Sequence, residues 1–178
     1  MPRRRGGTSG TSGNGGTSGN GGTSGNGGTS GSGGTSGNGC NAPNLVWKSA
    51  NKTYYTSYPV PGSEECIKYS GCLYQGQFSA CADTKTEAWV AAHNIVAFFP
   101  GFNTYKLHDL CLKSGSKTIV VTVYDTCGDS DCGGCCTQNQ GTADALIDVE
   151  SYTDARWGVQ DGRIQWADLG PTKGGGCN

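Results

Sequence analysis

Thr118-Ile-Val-Val-Thr-Val-Tyr-Asp125 is a β-branched run that closes on an acid, and Ala145-Leu-Ile-Asp148 repeats the arrangement in shorter form. Thr, Ile and Val are stiff at χ1 and pack well on a pleated surface, so both stretches predict strands. An acid after such a run stands at a strand end, where an open sheet or barrel exposes it, and two such acids can face one cleft. Alternation places Ile119, Val121, Val123 and Asp125 on one face, so the first acid is expected to extend an apolar, core-facing row.

Outward from these two runs the pattern stays β with short helices. Thr53 to Tyr58 suits a first strand, ended by Pro59 and Pro61-Gly62. Thr84-Lys-Thr-Glu87 has capping-box spacing and predicts a helix through Trp89 to about Ala92. Ile95-Val-Ala-Phe-Phe99 reads as a buried strand, and Tyr105 to Lys113 pairs with Lys117 to Asp125 across Ser114-Gly-Ser116. After Ala145 to Val149, Ser151 caps a helix ending near Gly158, and Asp161-Gly162 turns into a last strand, Arg163-Ile-Gln-Trp166. Many short strands with turn signals favour a mainly β closed barrel.

Composition divides the chain. Residues 1–39 hold almost only Gly, Thr, Ser and Asn in a six-residue repeat, with no hydrophobic surface to offset ordering entropy, and are read as a disordered tether. Residues 40–178 form the folded domain and carry all ten cysteines, an even, dense set that reads as a disulfide framework of a secreted or surface-tethered protein. Met1-Pro-Arg-Arg-Arg5 resembles the start of an export signal, but no apolar stretch follows it, so the true signal is expected upstream or already removed. In the domain ten Lys and Arg stand against fourteen Asp and Glu, with no basic stripe for nucleic acid and no apolar run long enough to span a membrane.

The cysteine loop Cys127-Gly-Asp-Ser-Asp-Cys132-Gly-Gly-Cys135-Cys136 has a zinc-like Cys-x2-Cys spacing, yet only His93 and His108 exist elsewhere, and an oxidising compartment favours bridges. Asp129-Ser-Asp131 lacks the later bidentate Glu of a calcium loop. No metal and no cofactor is therefore expected. Cys135 and Cys136 should pair with different partners, and Cys40 with Cys177 is one guess for a clasp of the domain's ends. Asn51-Lys-Thr53 is a glycosylation sequon, meaningful in a eukaryotic secretory route, where a glycan would crowd the cleft.

Thr53-Tyr-Tyr55, Val-Thr-Val-Tyr-Asp125-x-Cys127, and Leu-Ile-Asp148 before a short helix, Gly162 and a Trp-ending strand together resemble the six-stranded, disulfide-rich double-psi β-barrel of expansins, barwin-like proteins and family 45 endoglucanases, over roughly residues 50–168. The resemblance implies a secreted, monomeric domain that grips cell-wall polysaccharide, whether cellulose, hemicellulose, chitin or peptidoglycan, in a groove. Asp148 matches the aspartate that serves those families as proton donor or essential acid. Asp125 matches the acid ending the preceding long strand in expansins, and Thr53 the threonine of their first strand. Two departures stand out: the usual His-Phe before the second acid is Leu146-Ile147, and the tyrosine expected two residues after the first acid is Cys127.

Family 45 hydrolases also use a first-strand aspartate to activate water, which Thr53-Tyr-Tyr-Thr-Ser57 does not supply. The reading thus leans to non-hydrolytic wall loosening. Glycan cleavage with Asp148 as acid, in the manner of an endoglucanase or a lytic transglycosylase, is the enzyme alternative. A barwin-like defence protein or protease inhibitor using the barrel as scaffold is the third. Expected sugar contacts are Thr53, Tyr54, Tyr55, Tyr58 and Trp157, because apolar sugar faces stack on aromatic rings, whereas Trp89 and Trp166 are assigned to the core. Alternation allows only one of Tyr54 and Tyr55 to line a groove.

Overall fold

A computed structural model describes residues 39–174, 176 and 177. The tether expected over residues 1–39 thus lies, Gly39 apart, outside the described residues. Six strands form a closed barrel: β1 (Lys48–Tyr55), β2 (Ile95–Phe99), β3 (His108–Ser114), β4 (Lys117–Asp125), β5 (Ala145–Glu150) and β6 (Gly162–Pro171), in the order β1-β5-β2-β4-β3-β6. The pairs β1–β5 and β2–β4 are parallel and the rest antiparallel. This mainly β, disulfide-rich barrel is the architecture that the resemblance implies. Six short helices fill the connections: α1 (Glu64–Lys68), α2 (Glu87–Ala92), α3 (Phe102–Tyr105), α4 (Asp129–Cys132), α5 (Cys135–Gln140) and α6 (Ser151–Trp157). No helix among the described residues is long and apolar enough to cross a membrane.

Alternation explains the barrel interior. Ala50, Val96, Phe98, Leu110, Leu112, Val121, Val123, Ile147, Ile164 and Trp166 come from every strand at every second position and form one buried cluster. Burying each large member removes about 1.5–3 kcal/mol of apolar exposure. A second cluster, with Val90 of α2, Ile95, Phe78 and Tyr124, covers the outside of β2 and β4.

Several boundaries differ from the sequence expectation for tertiary reasons. The first strand starts at Lys48 instead of Thr53, because Lys48 to Lys52 pair with β6 and Ala50 to Tyr55 with β5, so two partners hold a segment of modest propensity. The last strand runs on to Pro171, since β3 pairs with its second half. The strand expected from Tyr105 begins only at His108, because residues 102–105 form α3 and Leu107, at φ 59°, turns the chain into β3. The α2 cap is Thr86, whose hydroxyl accepts from the Trp89 amide, two residues later than the Thr84 expectation. Glu150 rather than Ser151 caps α6, accepting from the Tyr152 amide at 2.7 Å, and Gly158 ends the helix at φ 62°, a conformation that a Cβ disfavours.

All ten cysteines are bridged: Cys40–Cys111, Cys66–Cys72, Cys81–Cys177, Cys127–Cys136 and Cys132–Cys135. Cys135 and Cys136 do take different partners. The Cys40–Cys177 clasp is replaced by two long-range bridges, one tying Cys40 to β3 and the other tying Cys177 to the segment before α2. The closures of 71 and 96 residues each restrict the unfolded chain by about 4–5 kcal/mol on a chain-entropy estimate.

Candidate functional site: an acidic cleft across four strands

One register row positions the site. Thr53 is the partner of Asp148, Asp148 is the partner of Ala97, and Ala97 is the partner of Asp125. The row therefore crosses β1, β5, β2 and β4 with the small Ala97 between the two acids. Two strand spacings put the aspartate Cα atoms roughly 10 Å apart. Both aspartates, Thr53 and Ala97 line one cleft of about 270 Å³.

Asp125 reaches this row by a device that alternation does not show. The β2–β4 register shifts between Val96 and Ala97: Val96 pairs with Val123, but Ala97 pairs with Asp125, leaving Tyr124 as the extra residue. Tyr124 packs in the outer cluster while Val123 stays in the barrel interior. Asp125 is thus carried out of the Ile119–Val121–Val123 row and set beside Asp148. The expectation that it extends the core-facing row is corrected by this one-residue irregularity.

The two acids differ in their surroundings. Thr53 donates its hydroxyl to Asp148 Oδ1 at 2.9 Å, and burial in the cleft pushes the Asp148 carboxyl up to about 7. The Thr53 bond opposes that shift, Glu65 and Asp161 add to it, and Lys52 opposes it weakly. Asp125 Oδ1 accepts from both the Ser79 amide, at 3.0 Å, and the Ser79 hydroxyl, at 2.7 Å. Burial raises its pKa as well, against these two donors. Asp148 is therefore the group able to carry a proton near neutral pH and to exchange it with a ligand.

Tyr55 lies against both acids. Burial, then the charges of Asp125, Asp148 and Glu150, drive its phenol well above the usual range, so it stays protonated. Its Oη is buried without a well-formed hydrogen bond; the neighbouring Ser57 hydroxyl favours the ionised form but is itself buried and unpaired. Tyr54, on the opposite face of β1, still reaches the cleft rim and is 58% exposed, so both tyrosines line the cleft, against the expectation that only one would.

The remaining aromatic expectations divide. Tyr58 lines an adjoining hollow of about 420 Å³ rather than the acid cleft, and its hydroxyl donates to the Lys85 carbonyl. Trp157 is no sugar contact: it is 5% exposed and packed in the barrel cluster, because α6 turns this face onto the core. Trp47 is half-buried, with Lys113 Nζ 5.3 Å from its ring centroid. Trp89 stacks on His93 at 3.9 Å, and Trp166 is core, as assigned.

Residues without a sequence signal complete the walls. Glu65 and Tyr69 come from the stapled 59–77 segment, and Asp131 and Asn139 from the cysteine loop and α5. The loop's sulfurs come together tightly enough to suggest a metal cluster, but both of its bridges are closed, so no thiolate is available to a metal. Only the recurrence of Cys in 127–136 announced that this loop would be folded against the row. The Asn51 side chain of the sequon donates to the Asn139 and Gln140 carbonyls at 2.9 and 3.1 Å, bonds that anchor α5 and that a glycan on that nitrogen would break.

The cleft is the middle of a longer trench. It shares Tyr54, Glu65 and Tyr69 with the Tyr58 hollow, and Tyr69, Asp125, Thr126 and Asp131 with a third hollow of about 600 Å³ that runs past Ser79 to Asp83.

No protein-family model matches the chain, and no curated protein matches it. Among solved structures, the chain is similar to apo expansin of Clavibacter michiganensis, with 15% identity, 70% of this chain and 50% of that one covered, and a TM-score of 0.40. A point mutant of that expansin in complex with cellohexaose gives 13% identity, coverages of 71% and 54%, and a TM-score of 0.41. The Streptomyces papain inhibitor gives 17% identity, coverages of 70% and 94%, and a TM-score of 0.37. The chain spans about half the length of the expansins it matches.

Proposed function

We propose that this chain is a secreted, expansin-like domain that binds cell-wall polysaccharide along the trench and loosens it without hydrolysis. The observation that carries this reading is the row Thr53–Asp148–Ala97–Asp125 at the centre of an open groove built from three continuous hollows. A groove of that form suits an extended polymer, whereas a small ligand suits an enclosed pocket. Tyr54 and Tyr69 offer rings to sugar faces at its rim. In the floor, protonated Asp148 can donate to a sugar oxygen, with Thr53 holding its other face, while Asp125, fixed by Ser79, accepts from a sugar hydroxyl. Such contacts compete with the hydrogen bonds that hold one glycan chain to the next.

Non-hydrolysis rests on the first strand, where Thr53 to Ser57 present no carboxylate as water-activating base. The enzyme reading keeps one specific support: a carboxyl pushed up to about 7 is a competent general acid, with Asp125 two strands away. Incubating the oxidised protein with cellohexaose, chitin oligomers and peptidoglycan, then measuring binding and released reducing ends or anhydro sugars, tests both. Binding without release, weakened by Asp148→Asn, is expected. Release by wild type but not by Asp148→Asn replaces loosening with cleavage, and binding to no glycan overturns the proposal.

A further inference from the structure

Among the carboxyl, ammonium, guanidinium and imidazole side chains of the described residues, only carboxyls line the trench. Glu64 and Glu65 line its first hollow, Asp131, Asp125 and Asp148 the middle, and Asp83 the far end. No Lys, Arg or His lines any of the three hollows among the described residues. Of the cations around it, Lys68 alone pairs with a trench acid, Glu64, and Lys52 and Lys68 Nζ lie 6.0 and 5.0 Å from the Tyr54 and Tyr69 ring centroids. Lys52 is 1% exposed and bound to Asp154 and Asp161, Lys68 pairs with Glu64 at 3.1 Å, and Lys85 donates to the Cys177 carbonyl. Apart from Glu64, the trench acids have no ion-pair partner among the described residues, so the fold concentrates one sign of charge along low-dielectric walls, which focuses the field on whatever occupies the trench.

Charge alone would be an ordinary acidic surface, but here it coincides with a binding floor. Tyr55 Oη is buried in the cleft without a well-formed partner, and three tyrosines stand exposed along the same trench: Tyr54, Tyr69 and Tyr74, at 58%, 37% and 62%. Exposed aromatic rings beside carboxylates that, Glu64 apart, have no cation partner form a surface for a sugar that carries positive charge: the ring stacks, and an ammonium meets the acids and the π faces together. An anionic chain would meet repulsion along the whole trench.

We infer that the trench selects a glycan carrying protonated amino groups, a glucosamine-type polymer, over neutral glucans and against uronates or other anionic chains. The inference rests on the polysaccharide-binding reading above and names the substrate class of the same groove. Glu64, Glu65, Asp131 and Asp83 select by charge around the central pair, which contacts any sugar that enters.

Calorimetric titration of the oxidised protein with β-1,4-linked hexamers of glucosamine, glucose and N-acetylglucosamine, and with hexagalacturonate, tests it at a pH that keeps the amines protonated. The glucosamine hexamer should bind at least about tenfold more tightly than cellohexaose at low salt, with the advantage shrinking as salt is raised, and hexagalacturonate should not bind. Glu64→Gln, Glu65→Gln, Asp131→Asn and Asp83→Asn combined, shown to be folded by its melting curve, should abolish the advantage, read as the ratio of glucosamine-hexamer to cellohexaose affinity within that same variant. Asp144→Asn with Asp168→Asn, remote from the trench, should preserve it. Equal affinity for the amine and neutral hexamers, or an advantage that survives the fourfold variant, overturns the inference and leaves the polysaccharide reading standing. Binding of no hexamer overturns both.

Discussion

Lys52 and Thr53 are neighbours on β1 that project to opposite faces, and the polar regions they open on handle charge in opposite ways. Lys52 is fully buried, with Asp154 Oδ1 at 2.7 Å and Asp161 Oδ1 at 2.6 Å from its ammonium. Its desolvation is offset on the spot, and the trio ties β1 to α6 and to the turn before β6. Thr53 opens on Asp148 and Asp125, two half-buried carboxyls held by hydroxyls and an amide, both with pKa values raised by burial. The same strand thus satisfies charge where it holds the barrel together and leaves it undercompensated where a ligand can reach it. Undercompensated groups of this kind gather at sites of function.

The sharpest way to break the contrast is to strip the Lys52 region of its anions. Asp154→Asn combined with Asp161→Asn leaves a buried ammonium unpaired and should cost about 3–5 kcal/mol, read from denaturant unfolding. Lys52→Met should cost less, because the acids left behind are partly solvated. If the double variant is as stable as wild type, Lys52 is not the strut described.

Asp148 should behave in the reverse sense. Its folded pKa, about 7, lies above the ordinary 3.8, so between those values the folded state holds more protons than the unfolded chain. Stability contributed at this position is therefore complete at low pH and is lost as pH rises through about 7. Asp148→Asn removes the penalty and should stabilise the protein by on the order of 2–4 kcal/mol above pH 7, fading to nothing at acid pH, while binding falls. Thermal melts across pH read this directly, and a variant destabilised at every pH would contradict the electrostatic account.

Thr53→Val deletes the donor that opposes the shift, and should raise the Asp148 pKa further by on the order of one unit, seen by carboxyl NMR titration, with Thr53→Ser restoring it. Asp125→Asn should have the smallest effect, under about 1 kcal/mol, since the Ser79 donors offset part of its burial and the amide oxygen can accept the same two bonds. A stabilisation matching that of Asp148→Asn would mean that the two acids are not asymmetric.

How much of this was legible beforehand depends on the range of the cause. Ile95–Phe99, the β3–β4 hairpin and Ala145–Glu150 follow from β-branched runs and turn residues, which act within a few positions. The two acids were visible because polar residues closing apolar runs are local anomalies. Trp157 was misread because its heptapeptide helix does not reveal which face turns inward. The walls supplied by Glu65, Tyr69, Ser79 and Asp131 carry no local signature, for they come from segments far from both acids in the chain.

By itself the sequence determined the strand-rich barrel, the bridged cysteines and the candidacy of Asp148, because propensity, periodicity and composition are local physics. Tertiary structure alone decided the rest. A one-residue register shift between β2 and β4 moves Asp125 from the core row to the cleft, bridge geometry decides which cysteines meet, and packing decides which charges are neutralised. Each of these depends on what a distant strand or loop brings into contact, and loop closure joins residues whose spacing along the chain says nothing of their meeting.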